Sequence, residues 1–259
     1  MISVVCVYNN EKILSQFLLK SLESQMVEYQ LIRVDNRQGQ FKSAAQALNY
    51  GACQAQGKYL MFVHQDVFLI SPRWLSQVEN ILDTLPALGI AGVAGNNEEF
   101  RGSITNIYHG CLTRPAGKAR ITVPTRVQTV DECLAIIPRS VFHKLCFDEF
   151  TCDDWHLYAV DYALCVKQQG LSAYVIPADA YHASTGRQYN LRKVLSNGGA
   201  FPAGYYRTLK KLLSKHRKNY HVIYTTCGNW STSLSLYYLQ RWGYLGKDIV
   251  ECCLKIGTK

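Results

Sequence analysis

The chain has 259 residues, with 28 Lys+Arg against 19 Asp+Glu for a formal net charge of +9, 48% hydrophobic residues and 18% charged ones. That composition excludes disorder, collagen-like repeats and a small stapled scaffold, and the length suffices for one large α/β domain, or a domain with an appendage, whose core needs no metal or disulfide. No run of about 18 apolar residues occurs, so a membrane-spanning helix is excluded as well.

Residues 2–8 form a short, continuous apolar run rich in β-branched residues and stopped by Asn9-Asn10, the pattern of a strand buried on both faces of a parallel sheet. Ile13, Phe17, Leu18 and Leu22 keep helical spacing through 12–25. Residues 29–34 read as a second strand ending in Asp35. Ala44, Ala47, Leu48, Ala52 and Ala55 mark a second helix that stops at Gly57, and 58–63 is a third strand. Two βα units at this pitch imply right-handed crossovers and an α/β fold with a doubly wound, mostly parallel sheet. Such sheets bind ligands beyond the carboxyl ends of their strands, which here carry Tyr8-Asn9-Asn10, Asp35-Asn36 and His64-Gln65-Asp66. There is no Gly-x-Gly-x-x-Gly after the first strand and no phosphate loop, so polar side chains at the strand ends must hold any nucleotide.

Downstream, the pattern predicts a helix from Pro72 to about Thr84, a glycine-flanked strand over 89–95 and a loop-rich stretch with short strands over 96–130. It continues with a strand over 130–137, a short helix opened by Pro138, a helix over 155–169 closed by Gly170, and a strand over 173–176 before the polar run 181–186. The last third is basic: residues 180–247 contain eleven Lys and Arg and no acid, whereas residues 1–179 hold 15 basic and 17 acidic residues. Within it, 206–218 places Leu209, Leu212 and Leu213 on one side of a helix and Arg207, Lys210, Lys211, Lys215, Arg217 and Lys218 around the rest. Such a helix either inserts into an anionic membrane surface or packs its leucines on the main domain. No nucleic-acid motif accompanies the charge, and nucleic acid is not an expected partner. The ten cysteines contain no Cys-x-x-Cys pair and follow no secretory segment, which points to reduced thiols in a cytoplasmic protein.

Several motifs have a familiar form. Residues 4–9, Val34-Asp35, Ala47-Leu-Asn49-Tyr-Gly51 and the run from Ala55-Gln-Gly57 to His64-Gln65-Asp66 resemble the N-terminal half of the GT-A glycosyltransferases of family 2. Phe147-Asp-Glu-Phe150, the stretch from Trp155 to Cys165 and Tyr181-His182-Ala-Ser-Thr-Gly186 resemble its acceptor-side half, in order and spacing. The resemblance implies a Rossmann-like GT-A catalytic domain over 1–187, with a nucleotide-sugar half at 1–95 and an acceptor half at 96–187, followed by a basic, largely helical extension at 188–259. It further implies inverting transfer of a sugar, hexosyltransferase-like, from a nucleoside-diphosphate sugar to a hydroxyl of a glycan or lipid-linked saccharide. Mn²⁺ or Mg²⁺ would be the cofactor, and the enzyme would be cytoplasmic, peripheral at the inner face of the cell membrane.

The resemblance also assigns residues. Asp66 corresponds to the metal-binding last Asp of an Asp-x-Asp motif, and a carboxylate ending an apolar strand is well placed to hold a divalent cation against a diphosphate, although it could equally start a turn. The first Asp of that motif is His64 here, so the motif is degenerate. His182 corresponds to the family's second metal ligand, although it could equally be a plain surface histidine, and imidazole with carboxylate suits Mn²⁺ at least as well as Mg²⁺. Asp35 corresponds to the base-reading carboxylate, although it could instead cap the next turn; Tyr8 could pack on the base or be a rim residue, and Asn10 counts among the donor-binding residues. Ser184, Thr185 and Arg187 could contact the diphosphate. The family's catalytic Asp aligns with Ala159, which leaves Asp154, then Asp153, then Asp161 as candidate bases; Asp153-Asp154 could instead cap the following helix. Asp131-Glu132 and Trp155 fall where the sugar pocket is lined. Because His64 and Ala159 both depart from the pattern, a non-catalytic protein that binds nucleotide-sugar or a membrane surface through a degenerate site is the alternative.

Overall fold

The computed structural model describes residues 1–100, 102–110, 114–117, 119–183 and 190–256. The first strand, β1 (Ile2–Tyr8), leads into a helix made of α1 (Glu11–Leu14), a π-helical stretch (Ser15–Leu19) and α2 (Lys20–Glu23). Then come β2 (Tyr29–Asp35), α3 (Ala44–Ala52), β3 (Tyr59–Val63), β4 (Val67–Leu69), α4 (Trp74–Thr84), β5 (Leu88–Gly92) and β6 (Ala94–Asn96). Short strands follow, β7 (Ile104–Thr105), β8 (Ile107–His109), β9 (Thr125–Val127) and β10 (Thr129–Val130), and then β11 (Leu134–Pro138), α5 (Arg139–Phe142), α6 (Tyr158–Gln168), β12 (Ser172–Val175) and β13 (Ala180–His182). The chain continues with α7 (Leu191–Asn197), α8 (Ala203–His216), the hairpin β14 (Val222–Thr225) and β15 (Gly228–Ser231), and α9 (Leu234–Ile256).

The main sheet has seven strands in the order β2-β1-β3-β11-β5-β12-β9. Five run in one direction, and β11 and β9 run against them, as the antiparallel registers of β11 with β3 and β5 and of β9 with β12 require. Both faces are covered, which explains the unbroken apolar run of β1: Ile2, Val4, Cys6 and Tyr8 enter the core under α1, α2 and α4, while Val5 enters the core under α3, α5 and α6. Gly51 lets α3 lie against the sheet, since a Cβ there would come within 2.7 Å of Val5 and 2.8 Å of Val34.

Three local departures from the sequence pattern shape the site. The expected strand over 130–137 breaks into β10, paired to β6, and β11, paired into the main sheet, with Asp131-Glu132-Cys133 turning between them. The polar stretch at Tyr181-His182 is the end of β13, which pairs with β4 and β8. The helix expected from Trp155 starts at Tyr158, because Leu157 adopts the left-handed region at φ 70° with its N–H donated to Glu132 Oε2 at 2.5 Å. Asp154 therefore lies outside the helix and does not share a face with Asp161 and Cys165.

The C-terminal region is no free appendage. Leu209, Leu212, Leu213, Tyr205, Ile223, Trp230 and Tyr237 form a third core with Leu157, Val160 and Leu164 around α6. The basic helix α8 thus packs its leucines inward instead of presenting them to a membrane, and its cations turn to acids: Arg207 to Asp154, Lys211 to Asp153, and Lys215 to both Asp148 and Asp161. Cys6, Cys53, Cys133, Cys146, Cys152, Cys165 and Cys253 form no disulfide.

Candidate active site

The pair expected to hold a metal is assembled by the small sheet. Asp66 ends the turn between β3 and β4, and the register sets His182 opposite Val67, the next residue, so the two side chains meet with His182 Nε2 3.2 Å from Asp66 Oδ1. His64, whose backbone N–H is held by the Cys133 carbonyl at 2.9 Å, packs its ring edge-on to His182 with centroids 5.5 Å apart. His64, Asp66 and His182 offer three ligand atoms within 4.8 Å of one another. Burial pushes His64 down to about 4, with the charge of His182 adding to it, so this imidazole stays neutral. For Asp66, partial burial works to raise the carboxyl, but the hydrogen bond from His182 and the charge of that imidazole outweigh it and hold the carboxyl below its ordinary value. Burial lowers His182, but Asp66 beside it outweighs this and raises it. Two imidazoles and a carboxylate, half-buried at a sheet rim, fit a cation that takes its remaining oxygens from phosphates and water, and the nitrogen donors favour Mn²⁺ over Mg²⁺.

Two cavities meet here. One of about 390 Å³ is lined by Tyr8, Asn9, Asn36, His64, Gln65, Asp66, Glu132, Trp155 and His156, at the carboxyl ends of β1, β2 and β3. A larger one of about 740 Å³ lies toward α7 and the β14–β15 hairpin, with Asp131, His156, His182, Lys193 and Phe201 on its wall. Gln65 clamps the smaller cleft: its Oε1 accepts from the N–H groups of Asn9 and Asn10 at 3.1 and 3.0 Å, and its Nε2 donates to Asn9 Oδ1 at 2.8 Å. Asn10 caps α1 by accepting from Ile13 N at 3.1 Å. Asp35 at the rim is gripped bidentately by Arg37, with Nε and Nη2 at 2.9 and 2.6 Å from Oδ2, and those hydrogen bonds hold its carboxyl down to about 2. The same guanidinium lies 5.7 Å from the centroid of the Tyr8 ring.

Tyr8, His64, Asp66 and His182 lie close together, with Asp35 and Asn10 beside them, but the three candidate bases do not join them. Asp154 accepts from Arg207 at 2.8 Å and Asp153 from Lys211 at 2.8 Å, and neither lines either cavity. Asp161 is 2% exposed and bound to Lys215 Nζ at 2.7 Å and His216 Nε2 at 2.8 Å, inside the core between α6 and α8. Ser184, Thr185 and Arg187 lie outside the described residues. The sequence places Gln65 at a ligand-binding strand end without giving it a role, and it gives no signal for His156 beyond following Trp155.

The sheet order and the polar strand ends define a GT-A fold of the glycosyltransferase type. Residues 3–183 match the model of the glycosyltransferase-like family, and the chain belongs to that family. A curated relative from Fuscovulum blasticum, described as "ATP synthase subunits region ORF 6", is 25% identical over 158 residues, which is 59% of this chain and 62% of the relative, somewhat under two thirds of its length. Among solved structures, the mannosyltransferase PcManGT of Pyrobaculum calidifontis, in complex with GDP-Man and Mn²⁺, superposes with a TM-score of 0.56 at 14% identity, covering 99% of this chain and 74% of that one. TarS 1–349 of S. aureus in complex with UDP gives 0.53 at 14% identity over 83% of this chain and 64% of that one. GalNAc-T7 with UDP, GalNAc and Mn²⁺ gives 0.51 at 15% identity over 84% and 54%.

Proposed function

We propose that this protein is an inverting, metal-assisted glycosyltransferase that moves a sugar from a nucleoside-diphosphate sugar to a hydroxyl of a glycan or lipid-linked saccharide. The observation that carries this reading is the His64–Asp66–His182 set at the rim of the sheet, facing a cleft floored by the ends of three parallel strands. The nucleotide lies in the smaller cleft, its base against Tyr8 and Asp35, with Arg37 moving to share that carboxylate. Trp155, 37% exposed beside Glu132, offers an apolar face to the donor sugar. The acceptor enters through the larger cavity. A bound divalent cation would neutralise charge developing on the departing diphosphate. Three neighbours in the same fold, crystallised with UDP or GDP-Man and two of them with Mn²⁺, support the choice of donor class and ion.

The test is a thermal-shift and hydrolysis screen of UDP-, GDP- and dTDP-sugars with and without Mn²⁺. A ligand at 100 times its Kd stabilises by about 2.7 kcal/mol, which corresponds to a Tm rise of roughly 5–11 °C for a chain of this size. Mn²⁺-dependent stabilisation with slow release of nucleoside diphosphate is expected. Stabilisation without release would favour the binding-protein alternative, and the absence of both stabilisation and release would overturn the reading.

The membrane contact belongs to α9, not α8. Along α9, Leu236, Leu239, Trp242, Gly243, Gly246 and Val250 fall on one side at helical spacing, all exposed, with Leu239 68% and Trp242 71% accessible. Exposed Arg192, Lys193, Lys210, Arg217, Lys218 and Lys247 come from the acid-free stretch that contains most of this helix, a charge that suits an anionic leaflet. Among the described residues no helix is long and apolar enough to cross a membrane. Sedimentation with vesicles containing anionic lipid is expected at low salt and not with neutral vesicles, and Trp242→Ser should reduce it several-fold. Binding indifferent to lipid charge and to Trp242 would remove this contact.

A further inference from the structure

The base positions suggested by the sequence are all occupied by structural ion pairs, yet the site is not without a proton acceptor. His156 is the ionisable side chain bordering both cavities that is not part of the metal-binding set. Its Nδ1 lies 3.5 Å from Glu132 Oε1, while Glu132 Oε2 accepts the N–H of Leu157. One carboxylate therefore fixes both the imidazole and the backbone that carries it. Leu157, a branched apolar residue, is held at φ 70°, a strained conformation after which α6 starts, so that His156 stays outside the helix and on the wall of the cleft. On its other side the ring meets Tyr205 edge-on at 5.7 Å. His156 Nε2 has no hydrogen-bond partner among the described residues.

We propose that His156 is the general base of the sugar transfer and that Glu132 is its positioning residue. The inference rests on the glycosyltransferase reading above. As the acceptor oxygen forms its bond to the anomeric carbon, its proton passes to Nε2. The bond from that carbon to the diphosphate oxygen breaks, and its electron pair leaves on the diphosphate. Glu132 keeps the proton on Nδ1, so that Nε2 presents a lone pair to the acceptor, and its charge stabilises the imidazolium that forms; the proton is then released to water. Burial lowers the His156 imidazole, but the Glu132 carboxylate, with a smaller contribution from Asp154, outweighs this and raises it above its ordinary value. The groups facing it are Glu132 and His64 around the smaller cleft, Asp154 two residues earlier in the chain and outside that cleft, Tyr205 from α8, and Asp131, His182 and Lys193 across the larger cavity.

The experiment uses the full chain, Mn²⁺ and whichever nucleotide sugar the screen shows to be hydrolysed, with water as acceptor, and follows nucleoside-diphosphate release and, separately, nucleotide affinity by calorimetry. His156→Gln should lower kcat by about 10²-fold or more while leaving Mn²⁺–nucleotide affinity unchanged. Glu132→Gln, nearly isosteric, should give a smaller loss and move the acid limb of the kcat/KM profile to lower pH, because the anion that raises His156 is gone. At saturating Mn²⁺ the pH dependence of nucleotide affinity should stay where it was. Full activity in His156→Gln, or loss in Asp154→Asn alone, would overturn the assignment while leaving the glycosyltransferase reading standing. A wild-type protein that releases no nucleotide would overturn both.

Discussion

Asp66→Asn is expected to abolish Mn²⁺-dependent nucleotide binding. Asp66 is the single carboxylate in the three-residue ligand set, and without it two imidazoles would have to hold a dication beside a diphosphate. Changes in the outer shell of a metal site alone cost about 10–100-fold in affinity, so loss of a direct carboxylate ligand should exceed 10²-fold. His182→Ala should cost less, since water or phosphate oxygen can fill the vacated position. Calorimetric titration of UDP and GDP with and without Mn²⁺ distinguishes the two variants. The fold should survive the substitution: Asn keeps the shape, and the β4–β13 pairing runs through the backbone, with Ala183 N donating to the Asp66 carbonyl at 2.9 Å. An Asp66→Asn protein that binds nucleotide as tightly with Mn²⁺ as the wild type would remove the metal site.

What the sequence discloses of this site depends on whether the signal is local. β1 and β3 are legible because strands covered on both faces read as unbroken apolar runs, and their ends therefore expose Tyr8 and Asp66 to inference. The reversal of β11 has no such signal, since strand direction is decided by the partners a later segment finds. The break before β11 is what brings Glu132 to the rim, and Glu132 in turn fixes Leu157 and His156, so a base candidate at 156 depends on a residue 24 positions away. The leucine stripe of α8 is plain in the sequence, but the same stripe serves a membrane or a core. The choice is made by Asp148, Asp153, Asp154 and Asp161, which lie far upstream and take α8's cations. Asp153, Asp154 and Asp161 consequently look like catalytic candidates in the sequence and become fasteners in the fold. His64 is similar: against a carboxylate motif it reads as a loss, whereas beside His182 it offers a third ligand atom.

The largest loss of stability is expected from Asp161→Ala. Asp161 is 2% exposed and accepts from Lys215 and from His216 Nε2, while Gln168 Nε2 lies 3.0 Å from His216 Nδ1, an arrangement in which the ring donates to the carboxylate and accepts from the amide. Removing one partner of a buried pair leaves the others uncompensated and costs about 3–5 kcal/mol, equivalent to a Tm fall of roughly 6–20 °C in a chain of this size. Replacing Asp161 and His216 together by leucine should cost less than Asp161→Ala alone, because no group is then left buried without its partner. The same clasp gives the protein an acid limit. Partial burial works to raise Asp148, but the Lys215 ammonium and the Thr151 donors outweigh it and hold the carboxyl well below its ordinary value of 3.8. A carboxyl lowered in the folded state contributes its full stabilisation above the unfolded value and loses it as pH falls below 3.8 toward the folded one. Wild-type Tm should therefore drop more steeply than that of Asp148→Asn between pH 4 and pH 2. Asp161→Ala should keep its turnover at temperatures where it remains folded. A variant that melts within a degree of the wild type yet loses turnover would return Asp161 to the list of catalytic bases.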